Sequence, residues 1–104
     1  MNIIVGNPVE VNGTCLQGEI TISYEQLLKV FGEETSNGDG YKVDAEWAGI
    51  IDGHVFTIYN WKDGKNYNGS EGMEIEDITD WHIGGKSKEV VALLTTYITN
   101  KLKG

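Results

Sequence analysis

Hydrophobic and polar residues alternate most regularly across Val43–Trp61, VDAEWAGIIDGHVFTIYNW. Asp52-Gly53 in its middle is the dipeptide of a two-residue type I′ turn, in which both central residues take positive φ. That turn predicts a hairpin with Ile51 opposite His54, Gly49 opposite Phe56, Trp47 opposite Ile58 and Ala45 opposite Asn60. On this register Val43, Ala45, Trp47, Ile51, Phe56 and Ile58 share one apolar face. The other face pairs Asp44 with Trp61, Glu46 with Tyr59, Ala48 with Thr57 and Ile50 with Val55. A slip by one residue would exchange the two sets, so the pattern itself argues for the register.

The same reading extends to both ends of the chain. Ile3–Val5 and Val9–Val11 are short strand-like pieces broken by Gly6-Asn7-Pro8. Leu16, Gly18, Ile20 and Ile22 alternate with Gln17, Glu19 and Thr21, the period of a strand. Ser23 and Gln26 then form an S-x-x-Q capping box, Leu27, Leu28 and Phe31 give a helical apolar stripe, and Gly32 ends it. Glu33–Gly40 is a polar, glycine-rich loop. Lys62–Asp77 is a longer one, long enough to be a candidate functional loop. Ile78–Ile83 reads as a further strand, with Thr79, Trp81 and Ile83 alternating against Ile78, Asp80 and His82. A last helix runs from an N-cap at Ser87 to about Leu102, its stripe formed by Val91, Leu94, Ile98 and Leu102 and widened by Val90 and Tyr97. The expectation is one α+β domain over residues 1–104, a small antiparallel β-sheet with two helices packed on one face. The other face is then free for solvent or a partner.

Charge sharpens this picture. Sixteen carboxylates stand against eight lysines, there is no arginine, and the net charge is −8. Phosphate backbones are gripped by Lys and Arg, so direct nucleic-acid binding is not expected. An acidic surface suits a basic protein partner, as in DNA-mimicking inhibitors, and acidity also keeps a small protein soluble. The single cysteine, Cys15, rules out an intrachain disulfide and implies no oxidising compartment. The N-terminus has neither the cationic start nor the apolar run of a signal peptide, and no segment has the length of a membrane span. The expected location is a cytoplasm.

Two candidate sites emerge, both non-catalytic. Asp44, Glu46, Tyr59 and Trp61 on the polar hairpin face, with Tyr67 in the following loop, form a partner-binding surface of the acidic and aromatic kind that makes interface hot spots. Trp81, His82, Gly85, Lys86 and Ser87 form a ligand site, where the start of a helix offers free N–H groups to an anion and Trp81 and His82 offer stacking. Gly84-Gly85-Lys86-Ser87 resembles the end of a Walker A loop, but Asp80 stands where that motif needs glycine. His54 and His82 have no zinc spacing, and neither acidic loop has calcium-ligand spacing. Cys15 with His82, or Asp44 with Glu46 and Asp80, are the groups from which a catalytic set would have to be drawn. No cofactor is implied.

The segments LQGEI, SYEQLLKVFG, VDAEW, VFTIYNWKDGKNY and ITDWHIGGKS resemble a group of small phage-encoded proteins without an assigned role. A looser likeness, carried by ITISYEQLLKVFGEET and the tryptophan-bearing hairpin, is to the helix-then-hairpin unit of BamE and β-lactamase-inhibitor-protein folds, without their proline after the glycine. The first resemblance implies a small accessory protein that binds something of the host's, such as a defence nuclease or its nucleotide signal. With the charge, the missing catalytic set and the exposed aromatics, the leading expectation is a counter-defence inhibitor that binds a host protein. The alternative is a sponge that sequesters a small nucleotide-type immune signal, for which a pocket shared in a homo-oligomer would be suitable.

Overall fold

The computed structural model describes residues 2–6, 13–36 and 42–103. Among these residues five strands and three helices follow one another as β1 (Ile3–Val5), β2 (Cys15–Thr21), α1 (Tyr24–Phe31), β3 (Glu46–Ile51), β4 (His54–Tyr59), α2 (Lys65–Asn68), β5 (Asp80–Gly85) and α3 (Glu89–Lys103). The strands form a single sheet in the order β1-β3-β4-β5-β2, with every neighbouring pair antiparallel. The architecture is α+β. The expected piece Val9–Val11 lies outside the described residues.

The hairpin register is the one the Asp-Gly turn demands. Ile51 faces His54, Gly49 faces Phe56 and Trp47 faces Ile58. Asp52 and Gly53 take φ of 47° and 83°. The turn is also anchored, because the Asn2 N–H donates to Asp52 Oδ1 and the Asp52 N–H to the Asn2 carbonyl, both at 2.8 Å. This locks β1 against the end of β3.

The start of α1 is a reciprocal cap. The Gln26 N–H donates to Ser23 Oγ and the Ser23 N–H to Gln26 Oε1, both at 3.1 Å, which satisfies donors left over at the helix end. Gly32 closes the helix at φ 82°. Its buried residues are Leu27, Val30 and Phe31, with Leu28 only partly buried. In α3 the buried stripe is Val90, Leu94 and Ile98. Residues of both helices join one core with Trp47, Ile51, Phe56, Ile58, Trp81 and Ile83 of the sheet.

That core is built on aromatic rings. Trp47 and Trp81 meet edge to face at 5.6 Å, Tyr24 packs on both, and Phe31 lies between Phe56 and Tyr97. Each buried indole keeps a partner for its N–H. Trp47 Nε1 donates to the Gly32 carbonyl at 2.9 Å and Trp81 Nε1 to the Ile78 carbonyl at 3.2 Å.

Three details depart from the sequence pattern. The pairing of β2 with β5 shifts between Leu16 and Gly18, a bulge that puts Leu16 opposite Gly84 on the polar face and leaves it 54% exposed. The last strand begins at Asp80 and not Ile78, because residues 75–77 form a turn of 3₁₀ helix that delivers Ile78 into the core. The loop Lys62–Asp77 contains the third helix, α2, and is tied down throughout. Gly64 bridges to Met73, the Met73 N–H donates to the Asp63 carbonyl at 2.9 Å, and Lys65 pairs with Glu74.

Candidate binding surface

Antiparallel pairing of β3, β4, β5 and β2 brings one polar residue from each strand into a single row, Glu46–Tyr59–His82–Glu19. All four point away from the buried core face, since successive residues of a strand alternate between faces. Their neighbours Trp47, Ile58, Trp81 and Ile83 are completely buried.

The row is coupled. His82 Nε2 lies 3.1 Å from Glu19 Oε1, and the His82 ring meets Tyr59 edge to face at 5.5 Å. Tyr59 in turn contacts Trp61 at 6.2 Å. Partial burial raises the Tyr59 hydroxyl above its ordinary pKa, with Glu46 and then Cys15 adding to it, so Tyr59 stays a neutral hydroxyl at physiological pH.

Trp61 and Tyr67 remain on the surface, 41% and 37% exposed. Their setting is less acidic than the sequence implies. Lys42 Nζ and Lys62 Nζ lie 5.4 and 5.8 Å from the Trp61 ring centre, and Lys62 is 5.5 Å from that of Tyr67. The two rings therefore carry ammonium groups held by cation–π attraction.

Asp44 has a structural task. Its Oδ1 accepts from Asn60 Nδ2 at 2.8 Å and its Oδ2 from the Asn66 N–H at 3.1 Å. Asn60 is fully buried. Its Oδ1 accepts from the N–H groups of Asp44 and Ala45, and its Nδ2 also donates to Asp63 Oδ1 at 2.9 Å. The Asp44 carboxylate is thus a clamp for the base of the loop, on a residue that stays half-exposed. The hairpin pattern could not show this, because the clamp depends on where residues 60–66 turn.

The ligand site read from Trp81–Ser87 is not assembled. Trp81 is wholly inside the core and has no ring face to offer. His82 is on the opposite side of the sheet. Gly85 is glycine because α3 comes close: a Cβ there would meet Val90 Cγ1 at 2.9 Å and the Val55 carbonyl at 3.0 Å. Ser87 Oγ accepts from the Glu89 N–H at 3.3 Å, and Lys86 is exposed. The Glu89 carboxylate, in the first turn of α3, lies 3.3 Å from His54 Nε2, so this helix end already has an anion of its own.

A recess of about 450 Å³ adjoins the polar row, lined by Glu19, Ile20, Thr21, Trp61, Asp63, Asp80 and His82. Sequence reading did not join Glu19, Asp63 and Asp80 to Trp61 and His82. The alternation that sets Asp80 with His82 was visible, but the pairing of β2 with β5 and the path of the loop that carries Asp63 were not. Cys15 and His82 are each engaged elsewhere, Cys15 Sγ by Gln17 Nε2 at 3.3 Å and His82 by Glu19. Among the described residues no group of three or more His, Cys, Asp and Glu side chains is arranged to hold a metal ion, and no helix is long and apolar enough to cross a membrane. Comparison with protein-family models, curated proteins and solved structures finds no match to this chain.

Proposed function

We propose that this chain is a non-enzymatic binding protein that engages a protein partner through the polar face of its sheet. The observation that carries the reading is the row Glu46–Tyr59–His82–Glu19, which runs across four strands, with the exposed Trp61 against Tyr59 and the exposed Tyr67 in the loop that follows. An aromatic patch flanked by charge, on a rigid sheet, has the make-up of an interface hot spot. In this reading α1 and α3 both cover the opposite face and leave this one to the partner. Binding is favoured over turnover because the polar groups here are tied to one another: His82 to Glu19, and Asp63 to Asn60.

The resemblance to small phage proteins makes the partner a host protein and the role a counter-defence inhibitor; that assignment of origin rests on the sequence likeness alone. No observation favours the nucleotide-sequestering alternative once Trp81 is placed in the core. The reading is tested by affinity capture from host lysate with the parent protein and a Trp61→Ala/Tyr67→Ala variant side by side. A host protein retained by the parent, lost with the variant and released by salt supports it. An identical retained set from both proteins contradicts it.

A further inference from the structure

The recess beside the polar row has a chemistry of its own. Its three carboxylates, Glu19, Asp63 and Asp80, come from β2, the loop base and β5. Glu19 and Asp63 each spend one oxygen on a neighbour, His82 and Asn60 respectively. A carboxylate has about four lone-pair sites, so both retain acceptor capacity. The Asp80 side chain is exposed and has no hydrogen-bond or ion-pair partner among the described residues.

The wall of the recess is Trp61, whose ring is already approached by two of the chain's own ammonium groups, at 5.4 and 5.8 Å. That ring attracts positive charge through contacts that do not involve the carboxylates. None of the eight lysines lines the recess, and the chain has no arginine to fill it. Its volume of about 450 Å³ falls within the range of small-ligand sites.

We propose that the recess receives an arginine side chain of the protein partner, its guanidinium on Asp80 and Glu19 and one of its faces against Trp61. This deepens, and rests on, the protein-binding reading above. Guanidinium suits the site better than ammonium because its planar fork donates to two carboxylates while stacking on an indole. An anion is excluded by the sign of the lining.

Trp61 provides the readout. Trp47 and Trp81 are fully buried, so a fluorescence change on adding a small peptide reports on Trp61. The probes are an end-capped tri-arginine peptide and matched tri-lysine and tri-citrulline peptides. The arginine peptide is expected to give a saturable change, with affinity reduced about tenfold by Asp80→Asn, the loss of one charge-assisted contact. Glu25→Gln, which removes the same charge from exposed α1, is expected to change affinity by less than about twofold. The lysine and citrulline peptides are expected to bind at least about tenfold more weakly than arginine.

An absent or non-saturable response, equal affinity for lysine, or equal losses in Asp80→Asn and Glu25→Gln would each overturn the arginine site. The two readings fail separately. A host protein that is captured by the parent and by Asp80→Asn alike, but lost with Trp61→Ala/Tyr67→Ala, retains the binding face and overturns the arginine recess. The peptide pattern without any captured protein retains the recess and contradicts the binding face.

Discussion

Trp81 and His82 are neighbours in sequence with opposite fates. Trp81 is sealed between Trp47 and Tyr24 on the side of the sheet that faces the core, with its N–H on the Ile78 carbonyl. His82 faces the other way, between Tyr59 and Glu19. The same strands thus make two surfaces from different materials. One is apolar, with its indole N–H groups bonded internally. The other is a linked row of charge and aromatic rings that ends at a recess. The difference shows where an aromatic residue serves stability and where it is available for recognition: position on the strand decides, and residue type does not.

The contrast can be broken most severely on the core side. Trp81→Ala is expected to cost about 3–5 kcal/mol, a large share of a small domain's stability, as read by denaturant unfolding. A loss below about 1 kcal/mol would mean that Trp81 is not a core residue.

Asn60 stands at the junction of the core and the loop that follows β4. Asn60→Ala strands the N–H groups of Asp44 and Ala45 and takes one donor from each of two carboxylates, which is expected to cost about 2–3 kcal/mol. Hydrogen exchange should then speed up at the backbone amides of Asn66 and Asn68, which donate to Asp44 Oδ2 and the Gly64 carbonyl and depend on the placement of that loop.

A tyrosine on each side carries the next contrast. Burial and a hydrogen bond to Glu34 raise the Tyr24 hydroxyl from 10.0 to about 12, and burial also raises Tyr59. Below pH 10 the Tyr24 contribution is fully present, because the hydroxyl is protonated in folded and unfolded chains alike. Between about pH 10 and 12 the unfolded chain ionises first and stability falls. Tyr24→Phe is expected to be about 1 kcal/mol less stable at pH 7, for the lost bond, yet to lose less than the parent across that alkaline window. A parent and variant with the same alkaline slope would contradict this placement of Tyr24.

On the polar side the effects on stability should nearly vanish. Glu19→Gln is expected to cost about 0.2–1 kcal/mol, as for other solvent-facing ion pairs. Trp61→Ala is expected to stay within about 0.5 kcal/mol of the parent. A Trp61→Ala variant as unstable as Trp81→Ala would erase the distinction between the faces.

Much of this was legible in the sequence, for local reasons. Asp52-Gly53 sets the turn, the turn sets the register, and the register separates Trp47 from Glu46. Ser23 and Gln26 announce α1 in the same way. What could not be read was non-local. The alternation of residues 78–83 sorts Trp81 from His82 but does not say which side becomes the core, so both could be assigned to one ligand site. The partnership of Glu19 with His82 waits on β2 joining the far edge of the sheet. The bulge that turns Leu16 outward is a property of that same pairing. Asp44 looked like surface charge because nothing nearby in sequence reveals that Asn60 and Asn66 will close on it.

The most direct measurement is an amide chemical-shift map of the labelled protein on addition of its captured partner. The account predicts that the largest changes fall on Glu19, Glu46, Tyr59, Trp61, Asp80 and His82, with the exposed sides of α1 and α3 unperturbed. Changes concentrated on α1 and α3, with the row Glu46–Tyr59–His82–Glu19 unaffected, would contradict it.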